Sequence, residues 1–174
     1  DKLSAVYTGI EELFERAYNG DFSLSFSEVM DSFIKRSDVN DSNLDDHLIA
    51  AALKVIRKMI EVRNTEDCMP AAEWDDGWEE FEDDVVEMQG IVESLGAVQL
   101  IVNLVAQKSE NEDIYKECIL LAIAMLIGGN NQVQRSFLRT FKSMGEDADD
   151  FFLALSEHLS RSIIKLAEKS DGSG

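Results

Sequence analysis

Between Leu95 and Phe141 the chain reads L-G-A-V-Q-L-I-V-N-L-V-A-Q-K-S-E-N-E-D-I-Y-K-E-C-I-L-L-A-I-A-M-L-I-G-G-N-N-Q-V-Q-R-S-F-L-R-T-F, and no other stretch restricts the fold as much. Three apolar patterns of helical period follow one another, parted by a short polar turn and a Gly-Gly-Asn break. Val98, Ile101, Val102 and Val105 recur at three- and four-residue steps, as do Ile119, Ala122, Ile123 and Leu126, so each set marks the apolar face of a helix. Gly96 suits the end of a preceding helix and Gly128-Gly129 stops the second, because glycine takes the left-handed conformation without steric cost. Asn130 or Asn131 then caps the third helix.

The rest of the chain carries the same period. Leu3, Val6, Ile10, Leu13, Phe14 and Ala17 line a helix over 3–18, ended by Asn19-Gly20. Ser25 or Ser27 caps a second helix to about Arg36 that buries Val29, Met30, Phe33 and Ile34. A third, about Asp45 to Arg63, turns Leu48, Ala52, Val55, Ile56, Met59 and Ile60 inward. A fourth, Trp78 to Leu95, offers Trp78, Phe81, Val85, Met88, Val92 and Leu95, and an eighth runs from about Asp147 to Lys169. Strand-like alternation is confined to Phe22-Ser23-Leu24-Ser25-Phe26, which is too short and reads as an extended connector. With one proline among 174 residues, the expectation is a single all-α domain of about eight helices. Helices fill 1–63 and 78–169, 64–77 is a linker, and 170–174 is a disordered tail. The Asp1 start and the Gly-Ser end suit a piece of a longer polypeptide.

Thirty-five acidic against 16 basic residues give a formal net charge of -19. Such a chain repels phosphate backbones and anionic membrane surfaces, so nucleic acid is not an expected partner and basic protein segments are. The longest apolar run, Cys118 to Ile127, falls short of the roughly 20 residues that span a bilayer, so no direct membrane insertion is expected. Two cysteines, Cys68 and Cys118, suit a reducing compartment, with Cys118 as a small buried side chain.

The acidic run Asp75, Asp76, Glu79, Glu80, Glu82, Asp83, Asp84, Glu87 spreads around its helix instead of converging on one ion, which reads as a solvated face. With Trp74 and Trp78 beside it, Glu79, Glu80, Glu82, Asp83 and Asp84 form a candidate partner surface. The loop opening at Asp38 offers oxygens at calcium-loop positions one, three, five and nine (Asp38, Asn40, Ser42, Asp46). It lacks the glycine at six, where Asn43 stands, and the glutamate at twelve, where Ile49 stands, so it reads as a capping loop. His47 and His158 have no second ligand at metal spacing, and no nucleophile or phosphate-loop motif occurs. No enzyme activity, cofactor or metal is expected.

The run Ile119 to Phe137 resembles the cytosolic solenoid of inositol trisphosphate receptors and their relatives, the ryanodine receptors. In that family a helix ending Leu-Ala-Ile-Ala-Leu-Leu is followed by Gly-Gly-Asn, a short polar step, Gln, and Ser-Phe. Here these are Gly128, Gly129, Asn130, Gln134, Ser136 and Phe137. The pair Phe151-Phe152 and the run Leu48 to Met59 also match. Periodicity alone suits either a bundle or a solenoid; the resemblance implies an armadillo/HEAT-like α-solenoid segment of two or three repeats. It further implies a regulatory and coupling segment of a ligand-gated calcium-release channel. Neighbouring solenoid domains of that channel would be its partners, in a homotetrameric parent on the cytosolic face of the endoplasmic reticulum, with the inositol phosphate site elsewhere in the polypeptide. Gly128, Gly129 and Asn130 would form the corner, and Gln134 and Phe137 would dock the next helix. A free-standing armadillo-type adaptor with an acidic binding surface is the alternative.

Overall fold

Eight α-helices follow in order in the computed structural model, which describes residues 2–35, 42–65 and 78–171, with side chains over 2–32, 45–61 and 84–169. They are α1 (Lys2–Tyr18), α2 (Phe26–Lys35), α3 (Ser42–Thr65), α4 (Trp78–Ser94), α5 (Ala97–Lys108), α6 (Glu112–Leu126), α7 (Asn131–Met144) and α8 (Ala148–Asp171). Single 3-10 turns, Ile127–Gly129 and Gly145–Asp147, join the last three, and no strand occurs among the described residues. The chain is all-α. The helix α8 reaches Asp171, so Ser170 and Asp171 belong to it and not to a tail, and α3 takes in the first two residues of the expected linker.

Local chemistry sets the boundaries. At α2, the Ser25 hydroxyl accepts from the Glu28 amide while the Glu28 carboxylate accepts from the Ser25 amide at 2.8 Å, a reciprocal cap. These hydrogen bonds from Ser25 hold the Glu28 pKa below its ordinary value. Residues 21–25 connect α1 to α2 without strand structure, but they bend at Ser23 and Leu24 instead of running extended, with the Ser23 amide donating to the Asp21 carboxylate at 3.0 Å. The Phe26 amide donates to the Leu95 carbonyl at 3.0 Å. Asn111 caps α6 through the Asp113 and Ile114 amides, both at 3.1 Å.

Packing centres on α5, which buries seven of its twelve side chains, including Val98, Ile101, Val102 and Val105. It touches α2, α4, α6, α7 and α8. From α2 onward each helix also meets the one three places further along: α2 on α5, α3 on α6, α4 on α7, α5 on α8. The helices α3 and α6 run parallel. Asp46 takes hydrogen bonds from Lys108 and Asn111 near their starts, and Arg57 pairs with Glu117 further along.

The inward faces expected for α1 and α3 hold in the main: Leu3 is exposed, Val55 and Met59 are only half-buried, and Ile49, Leu53 and Arg57 join the buried side of α3. Met30 is buried and Val29 half-buried, whereas the side chains of Phe33, Ile34, Trp78 and Phe81 lie outside those described. The expected face of α6 does not hold. Ile114, Cys118, Leu121 and Met125 are fully buried, while Ile123 is 52% exposed, Leu126 is exposed, and Ile119 and Ala122 are only half-buried. This helix is apolar nearly all round, so two stripes of helical period compete, and the one facing α3 and α5 is the one buried.

Candidate functional site

The Gly-Gly-Asn corner is where three helices are tied. Gly128 and Gly129 have φ of 76° and 75°, a left-handed pair that ends α6 and turns the chain into α7. Asn130 follows and caps α7: its side-chain oxygen accepts from the Gln132 amide at 3.0 Å and the Val133 amide at 3.3 Å. The Asn130 side-chain nitrogen turns back to α4, donating to the Gln89 side-chain oxygen at 3.0 Å and the Val86 carbonyl at 3.4 Å.

Gln89, fully buried on α4, completes the joint. Its amide nitrogen donates to the Ala124 and Ile127 carbonyls, each at 2.9 Å, near the end of α6 where the helix leaves carbonyls without partners. One glutamine and one asparagine thus bind the end of α6, the start of α7 and the middle of α4. On the surface above, Gln132 donates to Glu93 at 2.9 Å.

The other corner residues divide. Phe137 is half-buried and begins an aromatic row, 6.1 Å from Phe141, which lies 5.0 Å from both Phe151 and Phe152. Val133 is fully buried and docks α7 beside it. Ser136 is half-buried. Gln134, expected with Phe137 to dock the next helix, is exposed, and the buried polar contact at the corner is made by Asn130.

A second buried polar group joins α3 to α6. Arg57 donates to Glu117 at 3.0 Å and to Glu61 at 2.5 Å. Burial works against the Arg57 charge, but both carboxylates together outweigh it and leave its pKa above the ordinary value. Burial likewise opposes the Glu61 charge, and its hydrogen bonds from Lys58 and Arg57 prevail, so its pKa lies below the usual range. Cys118, next to Glu117 and fully buried, has its thiol pushed up to about 12 by burial and by that carboxylate, which makes it a poor nucleophile. The cavity beside them, lined by Ala50, Ala51, Lys54, Asp113, Lys116 and Glu117, measures about 160 Å³, below the range of ordinary ligand sites.

At the far end, His158 is half-buried. Its Nε2 lies 2.7 Å from the Ser109 carbonyl oxygen and its ring stacks on Tyr115 with centroids 3.6 Å apart, fastening α8 to the turn between α5 and α6. His47 is exposed. Among the described residues no three His, Cys, Asp or Glu side chains cluster for a metal ion. Asp46 of the calcium-loop-like segment is engaged by Lys108 and Asn111, while the side chains of Asp38, Asn40 and Ser42 lie outside those described. So do those of the candidate partner surface, Trp74, Trp78, Glu79, Glu80, Glu82 and Asp83; Asp84 is exposed.

No single helix among the described residues is long and apolar enough to cross a membrane. A stretch of α4 with α5 reaches that length and composition only as a pair bent by 62°, and its apolar residues belong largely to the core. No known protein family matches the chain, and no solved structure matches it.

Sequence reasoning missed Gln89 and Arg57. Both sit at stripe positions, Gln89 beside Val85, Met88 and Val92, and Arg57 beside Leu53, Ile56 and Ile60. A polar residue inside an apolar stripe was the available signal, since such a group needs a buried partner.

Proposed function

We propose that this chain is a cytosolic coupling segment of an intracellular ligand-gated calcium-release channel, of the inositol trisphosphate receptor kind, in which stacked helices relay movement towards the pore. The observation that carries the reading is the corner. The residues that resemble that family, Gly128, Gly129 and Asn130, bring α4, α6 and α7 to one joint, held by fully satisfied buried hydrogen bonds. A joint of that kind passes displacement from helix to helix instead of absorbing it.

The contact of each helix from α2 to α5 with the third one after it supports an armadillo/HEAT-like solenoid with three helices per repeat, stacked in parallel as α3 is on α6. The apolar residues left outward on α6 and α7, Ile123, Leu126 and Leu138, support a stack that continues with further helices of the same channel. Its partners are then neighbouring solenoid domains, in a tetrameric parent at the endoplasmic reticulum.

Fractionation of source cells followed by an immunoblot against this chain tests the reading. A membrane-pelleted band many times heavier than the chain itself is expected. A soluble band of the chain's own mass overturns it and leaves an armadillo-type adaptor for basic protein segments.

A further inference from the structure

Past His158, α8 turns its amphipathic character the wrong way round. Arg161 reaches Glu110 and Lys165 reaches Glu112, each at 3.7 Å, so the charged side looks back to the turn and start of α6. One apolar stripe, which begins before His158, faces outward: Phe152, Leu159, Ile163 and Leu166 are 50%, 62%, 66% and 67% exposed, with Leu155 half-buried among them, while the exposed Leu153 and Ile164 lie on another side of the helix. Every side chain from Leu159 to Lys169 is exposed, so this half of the helix has no cover of its own.

The spacing of the stripe is symmetric. Counted from Leu159, Phe152 and Leu155 stand seven and four residues before, and Ile163 and Leu166 four and seven after. A helix so spaced meets a copy of itself running the opposite way in register, Phe152 against Leu166, Leu155 against Ile163 and Leu159 against its own counterpart. We propose that a second copy of this chain covers the outward face of α8, the two helices lying antiparallel across a two-fold axis at Leu159.

Three features make a second copy the occupant. Ser156, Ser162 and Ala167 border the stripe and no charged residue interrupts it, so two chains of formal net charge -19 meet there without opposing carboxylates. The stripe is about 21 Å long. Its exposed side chains come to roughly 500 Å², the size of the largest apolar patch on a typical monomer, which often marks a binding site, and more than half of the roughly 800 Å² per partner of a stable interface. Each free half would also lie over the anchored half of the other copy, where Phe152 rests on Phe141 at 5.0 Å. The pairing does not rest on the channel reading.

Sedimentation equilibrium of the full chain tests it, with cysteine cross-linking in a Cys68→Ser background. A concentration-dependent dimer is expected. Leu159→Glu sets two carboxylates at the axis and should weaken association at least tenfold with helicity unchanged, whereas Ile164→Glu, on another side of α8, should leave it intact. Leu159→Cys should cross-link readily under mild oxidation and Ile164→Cys should not. A monomer at all concentrations, a dimer indifferent to Leu159→Glu, or equal cross-linking at both positions overturns the proposal.

Discussion

Gln89 and Asn130, 41 residues apart in sequence, are hydrogen-bonded at 3.0 Å in a buried setting, and each spends its remaining amide capacity on backbone groups of the corner. Both amide orientations are fixed by this arrangement, because turning either over would set donor against donor. A glutamine with no exposed surface is tolerable only on those terms.

Replacing Gln89 by Leu should therefore cost about 2–3 kcal/mol, since two carbonyls and the Asn130 amide lose partners together. Asn130→Ala should cost a similar amount, including its cap of about 1 kcal/mol. In urea unfolding the double variant should be less destabilised than the sum, by roughly 0.5–3 kcal/mol. Additive losses would mean that the two side chains act separately.

Gly128 has nothing within 4 Å of where a Cβ would stand, and Gly129 has only the Gln134 amide at 3.9 Å. Substitution there meets backbone strain and no clash. At either position Asn should be the mildest replacement, Ala should cost about 1–2 kcal/mol and Val more, since bulk near Cβ disfavours positive φ. A ranking by volume in thermal melts, with Asn worse than Ala, would contradict this origin.

The Arg57 group gives the protein an acid limit. Because the folded Glu61 pKa lies below its ordinary 4.5, its contribution is present above that pH and is lost as pH falls through the lowered value. The urea midpoint should drop in that window, and less steeply in Glu61→Gln. Arg57→Met, which takes the guanidinium from Glu117 and one of the two cations from Glu61, should cost about 3 kcal/mol at neutral pH, and less as pH falls through the lowered Glu61 value. An equal penalty at neutral and acidic pH would assign the loss to packing.

Cys118 sets a corresponding alkaline trend. Its folded pKa of about 12 exceeds the ordinary 9.0, so its contribution is full below the ordinary value and declines as pH rises from there. In a Cys68→Ser chain, a disulfide reagent at neutral pH should label Cys118 only at the rate of unfolding. Immediate labelling would show an opening into the core beside Glu117.

Helix positions and the buried faces of α1, α3, α4 and α5 were legible because apolar and polar residues contrast sharply around those helices. The α6 face was not: Ile123 and Leu121 are equally apolar, and only the placement of α3 and α5 decides which is covered. The corner was legible in its glycines and its cap, whose conformations are local properties. The role of Gln89 was not, because its partners on α6 and α7 lie 35 to 41 residues away and no local rule pairs them.

The packing of α3 along α6 has a consequence for how the chain holds together. The segment 2–65 and the segment 78–171 share that interface, the Arg57–Glu117 pair across it, and the bond from Phe26 to the Leu95 carbonyl. Their union depends on surface as much as on covalent continuity. Two separately made pieces, divided between Thr65 and Trp78, should assemble into a non-covalent complex with the helicity of the whole, and neither piece alone should match its half.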